Sequence, residues 1–308
     1  MGIANCSSLK GAALSLILLA FVPVTSQARG LVFSGAVTPN QVNVLKSDLS
    51  NNLSMPDDQS AEKIMGVPNL SDATLKAWLS ARIGYVIGQS EKDTSNLVAL
   101  QKLDYPNDLF PDFEAPKNIP KEPTDPSSGP KMKVFIVMSN VGTSYYYIGK
   151  SKGVLVGYKF SNEAGQVVIP ITSPRAGILK VGDGLFRLPY RENPNSMVNT
   201  WYRLITLFHE AHHSDGNGKS LGFPHAVCPD GSPYFNYNAC DREINGAYGV
   251  EAYLLKHVRE VCMENNSCNA KEAEILAAMV NDAGSRLLAK NFLDSRPEGV
   301  VASASIGN

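Results

Sequence analysis

His209-Glu210-Ala211-His212-His213 closes the most strongly patterned segment of this chain. Just before it, Val198, Trp201, Ile205 and Phe208 recur at helical spacing, so a helix is expected from about 196 to 214 with that apolar face buried. Within it His209 and His213 stand at i and i+4, and side chains four apart project from one face of a helix. Two imidazoles one turn apart can share a tetrahedral cation at about 2.0–2.1 Å from each ring nitrogen. Glu210 points in an adjacent direction, near such a cation without being needed as a ligand. With five histidines in 308 residues, a chance match to H-E-x-x-H has odds on the order of one in 200.

Working outward, Pro194 precedes the helix, and before it lie the β-rich runs Met132 to Met138, Tyr145 to Ile148, Val154 to Phe160 and Val167 to Ile171, separated by Gly and Asn/Ser turn formers. Short strands so close in sequence imply a small, mostly antiparallel sheet packed on the histidine helix. After the helix, further helical periodicity runs from about Asp241 to Cys262 and from Ala270 to Lys290. The fold class is therefore α+β, with a main domain over 131–295 and a small, polar tail over 296–308. Pro106, Pro111, Pro116, Pro120, Pro123, Pro126 and Pro130 mark residues 105–130 as a linker or surface strap, since proline sustains neither a helix nor an inner strand. Residues 29–104 read as a mostly helical region, a pro-segment or helper domain. Its clearest helix runs from Ser71 to Gly88, with Ser71 as cap and Leu75, Trp78, Leu79, Ile83 and Val86 on one face.

Residues 1–28 have the form of an export signal: Lys10, an apolar stretch from Gly11 to Val24, and small residues at Ser26-Gln27-Ala28. The apolar stretch is shorter than the roughly 20 residues that span a bilayer, so removal is expected rather than stable membrane insertion. Once Cys6 leaves with the signal, Cys228, Cys240, Cys262 and Cys268 form an even set suited to an oxidising compartment. Proximity favours Cys228 with Cys240 and Cys262 with Cys268. No CxxC pair supports a structural zinc knuckle. The charge balance, 28 basic against 29 acidic residues and a net −1, creates no field for nucleic acid or an anionic membrane, so neither is expected as a partner.

A strand-rich segment followed by a helix carrying His209-Glu210-Ala211-His212-His213 and then Gly216 resembles the zincin metallopeptidases. The resemblance implies a zincin-like catalytic domain, a Zn2+ cofactor, and hydrolysis of a peptide or protein substrate by a zinc-activated water, with His209 and His213 as ligands and Glu210 as general base. A third ligand must lie downstream. His225 is the first candidate: His213-Ser214-Asp215-Gly216 matches the HxxG at which metzincins turn back toward their third histidine, and although Lys219 occupies the metzincin position, Gly216, Gly218 and Gly222 give the chain room to return with His225. Asp241 is the second, because a Cys228–Cys240 bridge would hold it beside the His225 loop, as ligand or as a carboxylate orienting an imidazole. Glu251 is the third, resembling the gluzincin arrangement. It sits with Ile244, Tyr248, Leu255 and Val258, so a buried carboxylate there needs a cation nearby.

Other polar residues carry weaker expectations. His212 is read as a surface residue or one that supports a ligand, Asp215 as an orienting carboxylate or turn former, and His257 as solvated. Tyr248, expected on one helical face with Asn245 and Asp241, is either an oxyanion donor or a packed core tyrosine. Tyr234-Phe235-Asn236-Tyr237 either walls a cleft or packs beneath the His225 loop. Two further readings stay open: a non-catalytic zinc-containing envelope or binding protein, and an amidase acting on a non-protein amide. The carboxylate at Glu210 favours hydrolysis over a structural zinc, which usually has four protein ligands.

Overall fold

The computed structural model of the protein describes residues 30–56, 58–91, 96–102, 139–141, 154–170, 177–213 and 225–289. The expected signal 1–28, the linker 105–130, the strands Met132 to Met138 and Tyr145 to Ile148, the turn bearing Asp215, and the tail 296–308 lie outside the described residues. What is described is mixed α and β. Its helices are α1 (Pro39–Ser50), α2 (Ala61–Met65), α3 (Asp72–Ser80), α4 (Met197–His213), α5 (Ala247–Glu264) and α6 (Ala270–Ser285). Its strands are β1 (Val32–Phe33), β2 (Tyr85–Gly88), β3 (Leu97–Lys102), β4 (Ser139–Val141), β5 (Val154–Asn162), β6 (Gly165–Pro170), β7 (Ile178–Val181), β8 (Ala226–Val227) and β9 (Asn238–Cys240).

These elements stack as helices on a mixed sheet on an antiparallel sheet. The mixed sheet runs β1-β2-β7-β4, with β1–β2 and β2–β7 parallel and β4 antiparallel to β7. Alternate residues of its central strands serve different neighbours. Val86 and Leu179 join the core shared with the helices, whereas Ile87 and Ile178 pack with Tyr158, Phe160 and Ile169 of the β3-β5-β6 sheet. A third, two-stranded sheet pairs β8 with β9.

Two sequence expectations change here. Residues 29–104 contribute strands as well as helices, and those strands pair with segments beyond residue 130: β2 with β7, and β3 with β5. The helix expected from Ser71 to Gly88 stops at Ser80, although Ser71 does cap it by accepting from the Thr74 amide. Ile83 and Val86 continue the helical spacing by coincidence. Tyr85-Val86-Ile87 is a β-favouring run buried on both faces, and such a run shows no period-2 alternation. Downstream, α5 begins at Ala247, so Asp241, Ile244 and Asn245 precede it and do not share its face.

The histidine helix forms where expected and is buried on most sides, as a helix at the centre of a domain must be. Val198, Ile205 and Phe208 belong to the main core, with Trp201 partly buried against it. α4 is also tied to its neighbours by polar contacts. Arg203 grips Asp48 of α1 through two buried bonds of 2.6 and 2.9 Å, and the Ser196 hydroxyl, just before α4, donates to Glu272 of α6 at 2.5 Å. A polar cavity of about 340 Å³ opens at the ends of β2 and β7 beside Thr38, Gln41 and Asp183, and it shares no residue with the histidines.

Candidate metal centre

Three imidazoles converge at the end of α4. His209 and His213 come from the helix itself, and His225 immediately precedes the short strand β8. Their Nε2 atoms form a nearly equilateral triangle: 3.2 Å from His209 to His225, 3.3 Å from His209 to His213, and 3.1 Å from His213 to His225. Ligand nitrogens about 2.0–2.1 Å from a tetrahedral ion lie about 3.3–3.4 Å apart, so this triangle fits such an ion closely. The three can hold a metal ion.

The ring protons reinforce that conclusion. His225 Nδ1 lies 2.8 Å from Asp241 Oδ1, and His209 Nδ1 lies 2.8 Å from Glu251 Oε2. An ionised carboxylate only accepts, so this placement favours the proton on each Nδ1, and a ring in that form presents a bare Nε2 lone pair to the centre. Lone pairs facing one another this closely repel unless a cation lies between them. The Glu251 contact is bent away from the ideal hydrogen-bond direction, since His209 Nδ1 has no well-aligned acceptor among the described residues. It therefore works mainly through charge.

Burial disfavours protonation of His209, but Glu251, with Glu210 and Asp241, outweighs this and raises its pKa overall. At His225 burial prevails over the help from Asp241, and the pKa is lowered. Three carboxylates thus surround three imidazoles, a charge arrangement that favours a divalent cation. Of the downstream candidates, the structure brings His225 into the triangle and places Asp241 and Glu251 behind the imidazoles. Each carboxylate finds in an imidazole Nδ1 the partner that a cation would otherwise have supplied.

Asp241 is 4% exposed and is built in from several directions. Its Oδ2 accepts the Tyr248 amide at 2.6 Å in the first turn of α5, where the helix dipole favours an anion. Its backbone N–H donates to the Arg286 carbonyl and its own carbonyl accepts from Leu288, both at 2.8 Å. Gly246 makes room for it: a β-carbon there would collide with the Asp241 carboxylate.

Tyr248 stacks on His225 with ring centroids 4.6 Å apart and meets His209 edge-on at 4.5 Å. Its hydroxyl accepts from Arg286 Nη1 at 2.7 Å, and burial pushes its pKa far above the usual tyrosine range. It is a neutral packing residue for the two rings. Arg286 in turn lies over the Tyr234 ring at 3.6 Å and pairs with Asp282 at 3.0 Å. Tyr234 also bonds to Asp282, so the aromatic loop divides: Tyr234 packs beneath the hairpin while Phe235, 55% exposed, faces outward. Nothing in the sequence pointed to Arg286, which lies far along the chain in an ordinary helix end.

Two histidines differ from expectation. His212 is buried, its Nε2 lies 2.6 Å from the Asn245 carbonyl, and its ring packs 5.8 Å from Trp78. α4 is covered on the Trp78 side by α3, which the sequence could not reveal. His257 is 3% exposed rather than solvated, between Asp58 and Glu260 at 3.2 Å each. The N-terminal segment folds over that part of α5. Both expected disulfides form, Cys228–Cys240 and Cys262–Cys268, with Cα atoms 5.2 and 5.4 Å apart. Among the described residues no helix is long and apolar enough to cross a membrane. No family model, curated protein or solved structure matches the chain.

Proposed function

We propose that this protein is an exported zinc-dependent metallopeptidase of the zincin type, hydrolysing peptide bonds in protein substrates. The observation that carries the reading is the triangle of Nε2 atoms, 3.1–3.3 Å on a side, with Glu210 next to His209 on the same helix. Zinc suits an all-imidazole set and, when bound with one position open, supplies an acidified water, its pKa lowered from about 15.7 to about 7, and a Lewis acid for the carbonyl. Three protein ligands rather than four, among the described residues, favour that open position over a structural site.

The chain's own residues have separable tasks. His209, His213 and His225 hold the ion through Nε2. Asp241 and Glu251 keep the rings of His225 and His209 in the Nδ1–H form, and Tyr248 fixes the plane of His225. Glu210 is half-buried, and its charge reaches both His209 and Tyr248. It accepts the proton of the attacking water and delivers it to the departing amine as the amide C–N bond breaks. Export is supported by the two disulfides, which persist in oxidising compartments.

The test is chelator-sensitive cleavage of an unstructured protein such as casein, with Glu210→Gln alongside. The variant should bind zinc as the parent does and lose at least about a hundredfold in rate, the scale of a lost general base. Equal cleavage by parent and variant would defeat the proposal.

A further inference from the structure

The three ligands are not held with equal security. His209 and His213 are fixed by a buried helix. His225 stands just before β8, a strand of two residues whose pairing with β9 breaks register between Ala226 and Val227. A two-stranded ribbon of this size is marginal in water on its own. Its position matters because the ladder pairs Ala226 with Cys240, which sets His225 opposite Asp241, the residue whose Oδ1 takes the His225 Nδ1–H. Asp241 is anchored separately to the segment that follows α6 by its two backbone bonds and to α5 by its carboxylate. What joins the His225 side of the hairpin covalently to the Asp241 side is the Cys228–Cys240 disulfide, three residues after the histidine and one before the aspartate. Both sulfurs are buried against Tyr234 beneath the hairpin.

We propose that Cys228 and Cys240 are positioning residues of the metal centre: their disulfide keeps His225 in register with Asp241, and opening it loosens the third ligand and weakens metal binding. The inference rests on the three-histidine metal site and is independent of what the protein hydrolyses. In reduction by a dithiol, the S–S bond breaks, the two cysteines each gain a hydrogen, and the dithiol is oxidised to its own disulfide. The Cys262–Cys268 bridge, between the end of α5 and the start of α6, belongs to neither strand of the His225 hairpin and serves as the internal control.

The measurement is zinc affinity of the full chain, read by competition with a chromophoric chelator, for the parent, for Cys228→Ser with Cys240→Ser, and for Cys262→Ser with Cys268→Ser. The first pair should weaken zinc binding about tenfold to a hundredfold, the scale of losing a carboxylate behind a ligand imidazole, and should alter the visible spectrum of the cobalt-loaded protein. The second pair should leave both readouts as in the parent. Unchanged zinc affinity in the first pair, or equal weakening in both, overturns the proposal. If the first pair does not fold, zinc release is followed during graded dithiol reduction of the parent, with alkylation showing which bridge has opened. Release that does not track opening of Cys228–Cys240 overturns it equally. A parent that binds no zinc at all would instead refute the metal site itself.

Discussion

At the scale of single residues, Asp241 is the side chain on which most of the centre's geometry converges, since one carboxylate serves His225 and the first turn of α5 together. Asp241→Asn keeps the shape but weakens the hold on the imidazole proton. It should raise the zinc Kd about tenfold to a hundredfold, as chelator competition would show. Gly246→Ala should do the same without removing any polar group. The added methyl occupies the space of the Asp241 carboxylate, although Gly246, at φ −74°, has a backbone that alanine tolerates. Wild-type affinity in Gly246→Ala would mean that Asp241 can shift without consequence. At this scale the sequence spoke clearly where residues are close in the chain and faintly where they are not. His209, Glu210 and His213 follow from a five-residue pattern, and His225 from a turn with room to return. The division of labour among His225, Asp241 and Glu251 needed geometry, because an acidic side chain near a metal ligand looks the same in sequence whether it faces the ion or the ring behind it.

At the scale of elements, α4 is held in place by one buried ion pair that no local pattern announces, because Asp48 and Arg203 are 155 residues apart. Removing one partner leaves an uncompensated buried charge. Arg203→Ala should therefore lower unfolding stability by about 3–5 kcal/mol, whereas replacing both residues with leucine should cost less. Denaturant unfolding of the two variants measures the difference. A second tie joins the loop before α2 to α5, where Tyr253 donates to Asp58 at 2.5 Å and His257 stands 3.2 Å away. Burial tends to raise the Asp58 pKa, but the Tyr253 hydroxyl, the Ser60 amide and the charges of His257 and Lys256 override it, and the net shift is downward from 3.8. A carboxyl lowered on folding stabilises the fold above its unfolded pKa and loses that contribution as pH falls through the folded value. Asp58→Asn should accordingly flatten the acid limb of a stability-against-pH curve below about pH 4, the carboxyl range. An unchanged acid limb would remove Asp58 from this role.

For the whole molecule, the decisive feature is that the N-terminal segment is structural. β2 lies between β1 and β7 in the mixed sheet, and α1 and α3 cover α4. A chain beginning after residue 104 would expose the apolar surface that Leu45, Leu75, Trp78 and Val86 now bury, and it should lack a cooperative thermal transition. Cooperative unfolding of that truncated chain, seen by circular dichroism, would show instead that the segment is dispensable. The same architecture explains what the sequence concealed. Helix α4 was legible because a one-sided apolar repeat is a local signal, and the α+β class followed from neighbouring strands and helices. The parallel partners of β2 were not legible: β7 lies about ninety residues later, and a strand buried on both faces carries no alternation to mark its orientation. The central claim, that three imidazoles share a metal ion, is tested most directly by elemental analysis and zinc titration of the purified full chain. One zinc per chain is expected in the parent and in Glu210→Gln, with a large loss in His209→Ala, His213→Ala and His225→Ala alike. A parent free of divalent metal and unable to take up zinc, or a His225→Ala variant that binds it undiminished, would contradict that claim.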